Sequence, residues 1–488
     1  MDPIDRFIDV AKDHASNPAI VTEAGTWLYS DLEAATRAFA YLFDQTKAER
    51  IAIALPKKNA AYAAFLGAGL AGAYYAPLNT SSPIGKLQGI ITQLEPDVIV
   101  SEGEMLAELA KAYPSAQLIC PDDLDLSQIL TGSGKRHDYS HIIFTSGSTG
   151  KPKGVIIPRA AMTNFADWQE SFQITPEDRI SQQPNLAFDM SLTDICAAFC
   201  FGGTLYPLIT VADVMMPGDF IRKHAITVWG SVPSVLSQME LGNQLNAETF
   251  ASVRLVTTAG EPLFKEHLDA VFSANPNVIF QNSYGPTETT ITMTCRTLTK
   301  NNYLAYCRNC VAFGDPVQNM EIHLVDGPNA NEGEALIVGP QVASGYWKDP
   351  EKTKATFTEF EGRPAYRSGD WIQRIGGEYF FKERIDFQVK IRGFRVELGE
   401  VAAAIRSTGW KVAVAFKHEN YLAAIVEKVQ GIELNERRLK LDLQKHIEKH
   451  AIPKQIIEVD RLPRNANDKI DSKQAAEMFA TILGVKKI

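Results

Sequence analysis

At 488 residues the chain can bury several hydrophobic cores, so two or more domains are expected. Composition is ordinary for a globular protein, and a net charge of −9 argues against a nucleic-acid binder. The charge is uneven: residues 387–488 hold 19 Lys/Arg against 13 Asp/Glu, a net +6, which leaves −15 on residues 1–386. A basic module on an acidic body points to different partners for the two parts.

The opening Met1-Asp2-Pro3-Ile4-Asp5 is acidic and lacks the apolar core of a secretion signal. Residues 60–78 are uncharged and long enough to span a membrane, but Ala, Gly and Tyr dominate them. They read as a buried helix running into a turn at Pro77, and the protein as cytoplasmic, with no membrane partner. Six scattered cysteines imply no disulfide framework. Cys196 and Cys200 share a helical spacing beside Phe199 and Phe201, which fits core packing. Cys307-x-x-Cys310 lacks the second Cys or His pair that zinc needs.

Across the first 130 residues, apolar runs alternate with helical patterns. Residues 51–55 and 97–100 read as strands, 31–43 and 85–94 as helices. This alternation builds a sheet covered by helices. His141-Ile142-Ile143-Phe144 reads as a buried strand. It runs into Thr145-Ser146-Gly147-Ser148-Thr149-Gly150-Lys151-Pro152-Lys153-Gly154. The glycines allow close backbone approach to a ligand, the hydroxyls and free N–H groups can donate to phosphate, and two lysines add positive charge. Pro152 after Gly150-Lys151 excludes a Walker A loop. Further on, residues 228–233 and 255–260 read as strands ending in small residues, where open α/β sheets collect ligands. From about Phe313 to Phe381 the pattern shortens to strands and turns, and a compact module follows Asp386.

The loop at 145–154 resembles the signature of the adenylate-forming superfamily, which includes acyl-CoA synthetases, luciferases and the amino-acid adenylation enzymes of nonribosomal peptide synthesis. Further motifs recur in order. They are Asn282-Ser283-Tyr284-Gly285-Pro286-Thr287-Glu288, Tyr366-Arg367-Ser368-Gly369-Asp370, the run from Arg384 to Arg395, and Leu462-Pro463-Arg464-Asn465-Ala466-Asn467-Asp468-Lys469. The resemblance implies an α/β fold. A large N-terminal domain of α/β sheets with a β-rich subdomain (1–386) is hinged at Asp386 to a small mobile α+β C-terminal domain (387–488).

It also implies ATP and Mg2+ as cofactors. Thr145, Ser146, Gly147, Ser148, Thr149, Gly150 and Lys151 would cradle phosphates. Tyr284 and Gly285 would flank adenine, Asp370 would take the ribose hydroxyls and Arg384 would reach the ribose. Thr287 would bond the α-phosphate, Glu288 would hold the metal, and Lys469 would bridge substrate carboxylate and α-phosphate. Departures are mild: Glu383 and Asp468 stand where the family usually has Gly.

Phe188-Asp189-Met190-Ser191 resembles the amino-acid branch, in which an aspartate pairs with the substrate's α-amino group. The bland alternative for Asp189 is a helix cap. The side-chain pocket carried over with it comprises Met190, Thr193, Gly230, Thr257, Ala259, Gly260, Ser283, Ile291 and Thr292, with no charge. A small or medium uncharged amino acid is favoured. The strings around Asp189 and Val228 resemble D-alanine–carrier protein ligases, although Ala259-Gly260 stands where that branch carries Cys-Gly. No carrier domain is visible, so the expected acceptor is the phosphopantetheine arm of a separate carrier protein. An acyl- or aryl-CoA ligase and a non-catalytic nucleotide-binding protein remain the alternatives.

Overall fold

The alternating pattern becomes parallel strand–helix–strand units. Arg50–Ala54 pairs in parallel with Tyr74–Pro77 on one side and Val98–Ser101 on the other. The crossover helix Asn59–Ala71 is apolar all round and accordingly buried from Ala61 to Leu70. It ends at Gly72, whose φ of +85° suits glycine. The break therefore falls earlier than the expected turn at Pro77. Residues Tyr74–Pro77 form a buried strand, because their aromatic and apolar side chains fill a sheet interior. Among the described residues, no helix is long and apolar enough to cross a membrane.

This computed structural model describes residues 1–146, 151–385, 388–391, 393–429, 433–464, 470 and 472–483. The chain divides into two compact units. The first comprises Met1–Thr80, Ile91–Phe144 and Gly154–Ile385; the second comprises Ser81–Ile90, Thr145–Lys153 and Asp386–Ile488.

The first unit holds three sheets. A six-stranded sheet carries the units just described. A nine-stranded sheet runs in parallel through Arg179–Gln182, Val228–Ser231, Leu255–Thr258 and Ile279–Tyr284. One hydrophobic core joins the two, with Phe39, Tyr62 and Phe199 fully buried in it. The third sheet is five-stranded and antiparallel, from Glu321–Asn329 to Glu378–Arg384, as the shortening pattern after Phe313 leads one to expect. Cys196 and Cys200 pack in the first core.

In the second unit, a hairpin of Gln388–Ile391 and Phe394–Glu397 precedes the helix Leu398–Ser407. A three-stranded sheet and the helices Glu436–Leu443 and Ser472–Ile482 follow. Buried ion pairs knit this unit: Lys86 to Glu448 and Glu400 at 2.7 and 3.2 Å, and Lys153 to Glu397 at 3.3 Å.

His141 is buried in the strand Tyr139–Thr145, its ring stacked on Tyr75. Burial, with the positive Arg159 nearby, pulls its pKa down to about 3. Folded chain thus stays neutral at His141 while unfolded chain protonates near 6.5, so stability present above pH 6.5 is lost as pH falls toward 3. We expect about 2 kcal/mol of loss from this group between pH 6.5 and 5. Melting curves across that range should slope less steeply for His141→Gln than for wild type.

Candidate active site

Asp370 lies in the long strand Arg363–Ile375 and is 4% exposed. A buried carboxylate needs partners, and it has two. Arg384, its register partner on Glu378–Arg384, donates from Nη1 to Oδ1 at 2.7 Å. Arg384 also donates from Nη2 to the Ser368 carbonyl at 3.2 Å. The second carboxylate oxygen accepts the Tyr284 hydroxyl at 2.6 Å. Tyr284 ends the strand Ile279–Tyr284, and its ring stacks on Phe313 with centroids 4.1 Å apart and planes 7° from parallel. Burial, reinforced by the Asp370 charge, holds the Tyr284 hydroxyl well above its ordinary pKa, so it remains a donor. Phe313 belongs to none of the motifs and was missed by sequence reasoning.

Past Tyr284 the chain turns sharply. Gly285 is required there, because a Cβ would lie 2.6 Å from the Ile291 carbonyl oxygen and 2.9 Å from the Met293 nitrogen. Thr287–Thr289 is a single 3-10 turn in which Glu288 is fully buried and Thr287 half-buried. The Tyr346 hydroxyl donates to Glu288 Oε1 at 2.8 Å, and the Ala343 N–H donates to the Glu288 carbonyl at 2.9 Å. Thr290 and Ile291 then both take left-handed backbone, at φ 56° and 68°. For β-branched residues that strain is ~1–3 kcal/mol each and needs outside support.

A small cavity opens beside this turn. Of the expected pocket residues, Met190, Thr193, Gly230, Thr257, Ala259, Ser283 and Thr292 line it. Ile291 is buried in the turn next to Thr292 and is outside the wall; so is Gly260, which follows Ala259 at φ +88°. Phe172, Pro184, Asp194, Ser231 and Thr258 complete the wall. Ser231 and Thr258 were legible in principle, since each follows an expected residue at a strand's carboxyl end.

Asp194 corrects the expectation of a wall without ionisable groups. It is 4% exposed, and its Oδ2 has no hydrogen-bond partner among the described residues. Burial pushes its carboxyl well above the usual range, against the pull of Lys57, so the neutral acid is favoured. Glycine at 230 makes room for it: a Cβ there would lie 2.5 Å from Asp194 Oδ1.

Asp189 is half-buried and is not a wall residue. Its Oδ1 accepts the Met190 N–H at 2.8 Å and its carbonyl accepts the Leu192 N–H at 2.9 Å, at the start of the helix Ser191–Phe199. Around the loop that follows the strand Tyr139–Thr145, Ser146 Oγ donates to the Arg395 carbonyl at 3.0 Å, Thr145 Oγ1 is buried with no partner among the described residues, and Lys151 is exposed. Gly147, Ser148, Thr149 and Gly150 lie outside the described residues, as do Asp386 and Lys469.

Residues 7–347 match the model of the AMP-binding enzyme family. The chain belongs to that family. A D-alanine–D-alanyl carrier protein ligase of Streptococcus agalactiae is 31% identical, across 84% of this chain and 85% of that protein. Its namesake in Lactiplantibacillus plantarum is 30% identical, across 95% and 96%. A Vibrio cholerae adenylation domain, solved in complex with glycyl-adenosine-5'-phosphate, superposes with a TM-score of 0.84 at 25% identity, over 98% of both chains. The α/β architecture and the ligase class expected from the motifs stand. Tyr284, Glu288 and Asp370 are thus buried polar residues of an AMP-binding enzyme.

Asp370→Ala removes one of Arg384's acceptors and the acceptor of the Tyr284 hydroxyl. Hydrogen bonds to charged groups are worth ~1.5–3 kcal/mol, so we expect KM for ATP to rise by about 10- to 100-fold. Steady-state kinetics should show a much smaller change in KM for the second substrate.

Proposed function

We propose that this enzyme uses ATP to activate a small amino acid as its aminoacyl adenylate and passes it to the phosphopantetheine thiol of a separate carrier protein. The observation that carries this reading is the small, hydroxyl-lined cavity continuous in sequence with the nucleotide motif. Ser283 in its wall precedes Tyr284, and Thr292 closes the turn that begins at Glu288.

In the first half-reaction a carboxylate oxygen attacks the α-phosphorus, and the bond to the leaving pyrophosphate breaks. Carboxylate needs no base for this, so the protein's task is positioning and charge neutralisation. Tyr284, backed by Phe313, flanks adenine. Asp370 accepts from the ribose hydroxyls, with Arg384 fixing its orientation. The Thr287 hydroxyl bonds the α-phosphate, and Lys469 bridges it to the substrate carboxylate. Glu288, an oxygen donor held still by Tyr346, suits a hard cation, and with phosphate oxygens it would hold Mg2+, which neutralises phosphate charge. In the second half-reaction the thiol sulfur attacks the adenylate carbonyl and AMP leaves.

D-Alanine is the first candidate, from the named ligases, and glycine the second, from the Vibrio cholerae domain. The net +6 on residues 387–488 favours an acidic carrier protein through electrostatic steering. ATP supply places the enzyme in the cytoplasm. Asp189 takes the substrate's ammonium; its Oδ1 already accepts the Met190 N–H, and a carboxylate accepts more than one donor.

Pyrophosphate release over a panel of amino acids, with D-, L- and β-forms, tests the reading; release independent of amino acid would overturn it. Lys469→Ala should abolish release and leave ATP binding intact. Asp189→Ala should erase a preference for alanine over propionate that a buried polar group sets at about 10⁴-fold. A variant that melts lower by about 1 kcal/mol and keeps that preference would make Asp189 a helix cap alone.

A further inference from the structure

Gln341 is fully buried in the segment that follows the strand Glu332–Val338. No motif contains it. The two N–H groups of its Nε2 face three backbone carbonyls of the strained turn, one of them shared: Thr292 at 2.6 Å, Thr290 at 3.2 Å and Thr289 at 3.3 Å. Its own carbonyl accepts the Thr290 hydroxyl at 2.8 Å. Its Oε1 accepts from Asn164 Nδ2 at 2.7 Å. Asn164 donates also to the Gln318 carbonyl at 2.9 Å, and its Oδ1 accepts from Asn319 Nδ2 at 2.8 Å. The donors thus run in one direction, from Asn319 through Asn164 and Gln341 to the turn. That order fixes which face of the Gln341 amide meets the turn.

The turn needs this support. Thr289, Thr290 and Thr292 are at most 1% exposed, so water does not replace a lost donor. Left-handed backbone at two successive β-branched residues persists only when neighbours impose it. Thr292 is a wall residue of the cavity and Ile291 is its neighbour in the turn. Glu288, at the other end, has its own supports in Tyr346 and Ala343. The two ends of the segment are therefore held by different groups.

We propose that Gln341 is a positioning residue for amino-acid selection: it holds the Thr290–Thr292 turn in the shape that sets one wall of the side-chain pocket. This rests on the reading of the cavity as the amino-acid pocket. Gln341→Met keeps length and volume and removes the donors. Losing them should raise KM for the amino acid by about tenfold while KM for ATP stays within about twofold. Discrimination against one extra methylene, normally about 10- to 200-fold, should fall by about tenfold.

The assay is amino-acid-dependent pyrophosphate release by the full chain with glycine, alanine and 2-aminobutyrate, each chiral acid in both enantiomers, alongside a melting curve. Asn164→Ala loosens the same amide from the side away from the cavity and should shift selectivity in the same sense, by less. It also decides the matter if Gln341→Met does not fold. Unchanged selectivity in a folded variant, or equal rises in both KM values, would overturn the proposal. Wild-type release that ignores the amino acid would instead mark the pocket reading as the failure, and the proposal would fall with it.

Discussion

A buried carboxylate that two sheets must satisfy together organises the first unit. Asp370 sits in the antiparallel sheet, and one of its partners, Arg384, is its neighbour there. The other, Tyr284, arrives from the carboxyl end of a strand in the nine-stranded sheet. Leaving either oxygen unpaired at 4% exposure would cost more than the bond itself is worth. The ends of the two sheets are therefore held at hydrogen-bonding distance by the polarity of one side chain. The stacked pair of Tyr284 and Phe313 adds rigidity that the hydrogen bond alone lacks.

From that point the chain is bent against its own preferences. Gly285 admits the returning backbone, and Thr290 and Ile291 accept left-handed conformations. Such strain is stable only where surrounding groups impose it. Here they come from one later segment, in which Gln341, Ala343 and Tyr346 reach back to residues 288–292. The strained stretch carries both the carboxylate suited to a metal and a wall of the cavity. One segment thus holds both ends of that stretch through separate hydrogen bonds.

The cavity shows a similar economy of space. Its walls combine hydroxyls, small residues and one carboxyl with the larger apolar Phe172, Pro184 and Met190, and Gly230 is small so that Asp194 can fit. Burial pushes the Asp194 carboxyl toward its neutral form.

Much of this was legible in the linear chain. Alternating apolar runs specify the strands around Ile51, Val98, Val228 and Leu255, because side-chain period and burial are local properties. The motifs around Tyr284 and Asp370 are runs of consecutive residues, so they were recognisable before any folding was known. Seven of the expected pocket residues, scattered along the chain and carried over from the family resemblance, line one cavity. Phe313, Gln341 and Asp194 were not legible. Each acts on residues distant in sequence or through the space a neighbour leaves: Phe313 across a ring face, Gln341 across about fifty positions to Thr290, Asp194 through the missing side chain of Gly230. The break at Gly72 was misread because an apolar run fits a buried helix and a buried strand equally. Sequence determined which elements form and which family motifs the chain carries. Tertiary structure alone decided which buried donor meets which buried acceptor, since that pairing depends on distance in space and leaves no periodic trace along the chain.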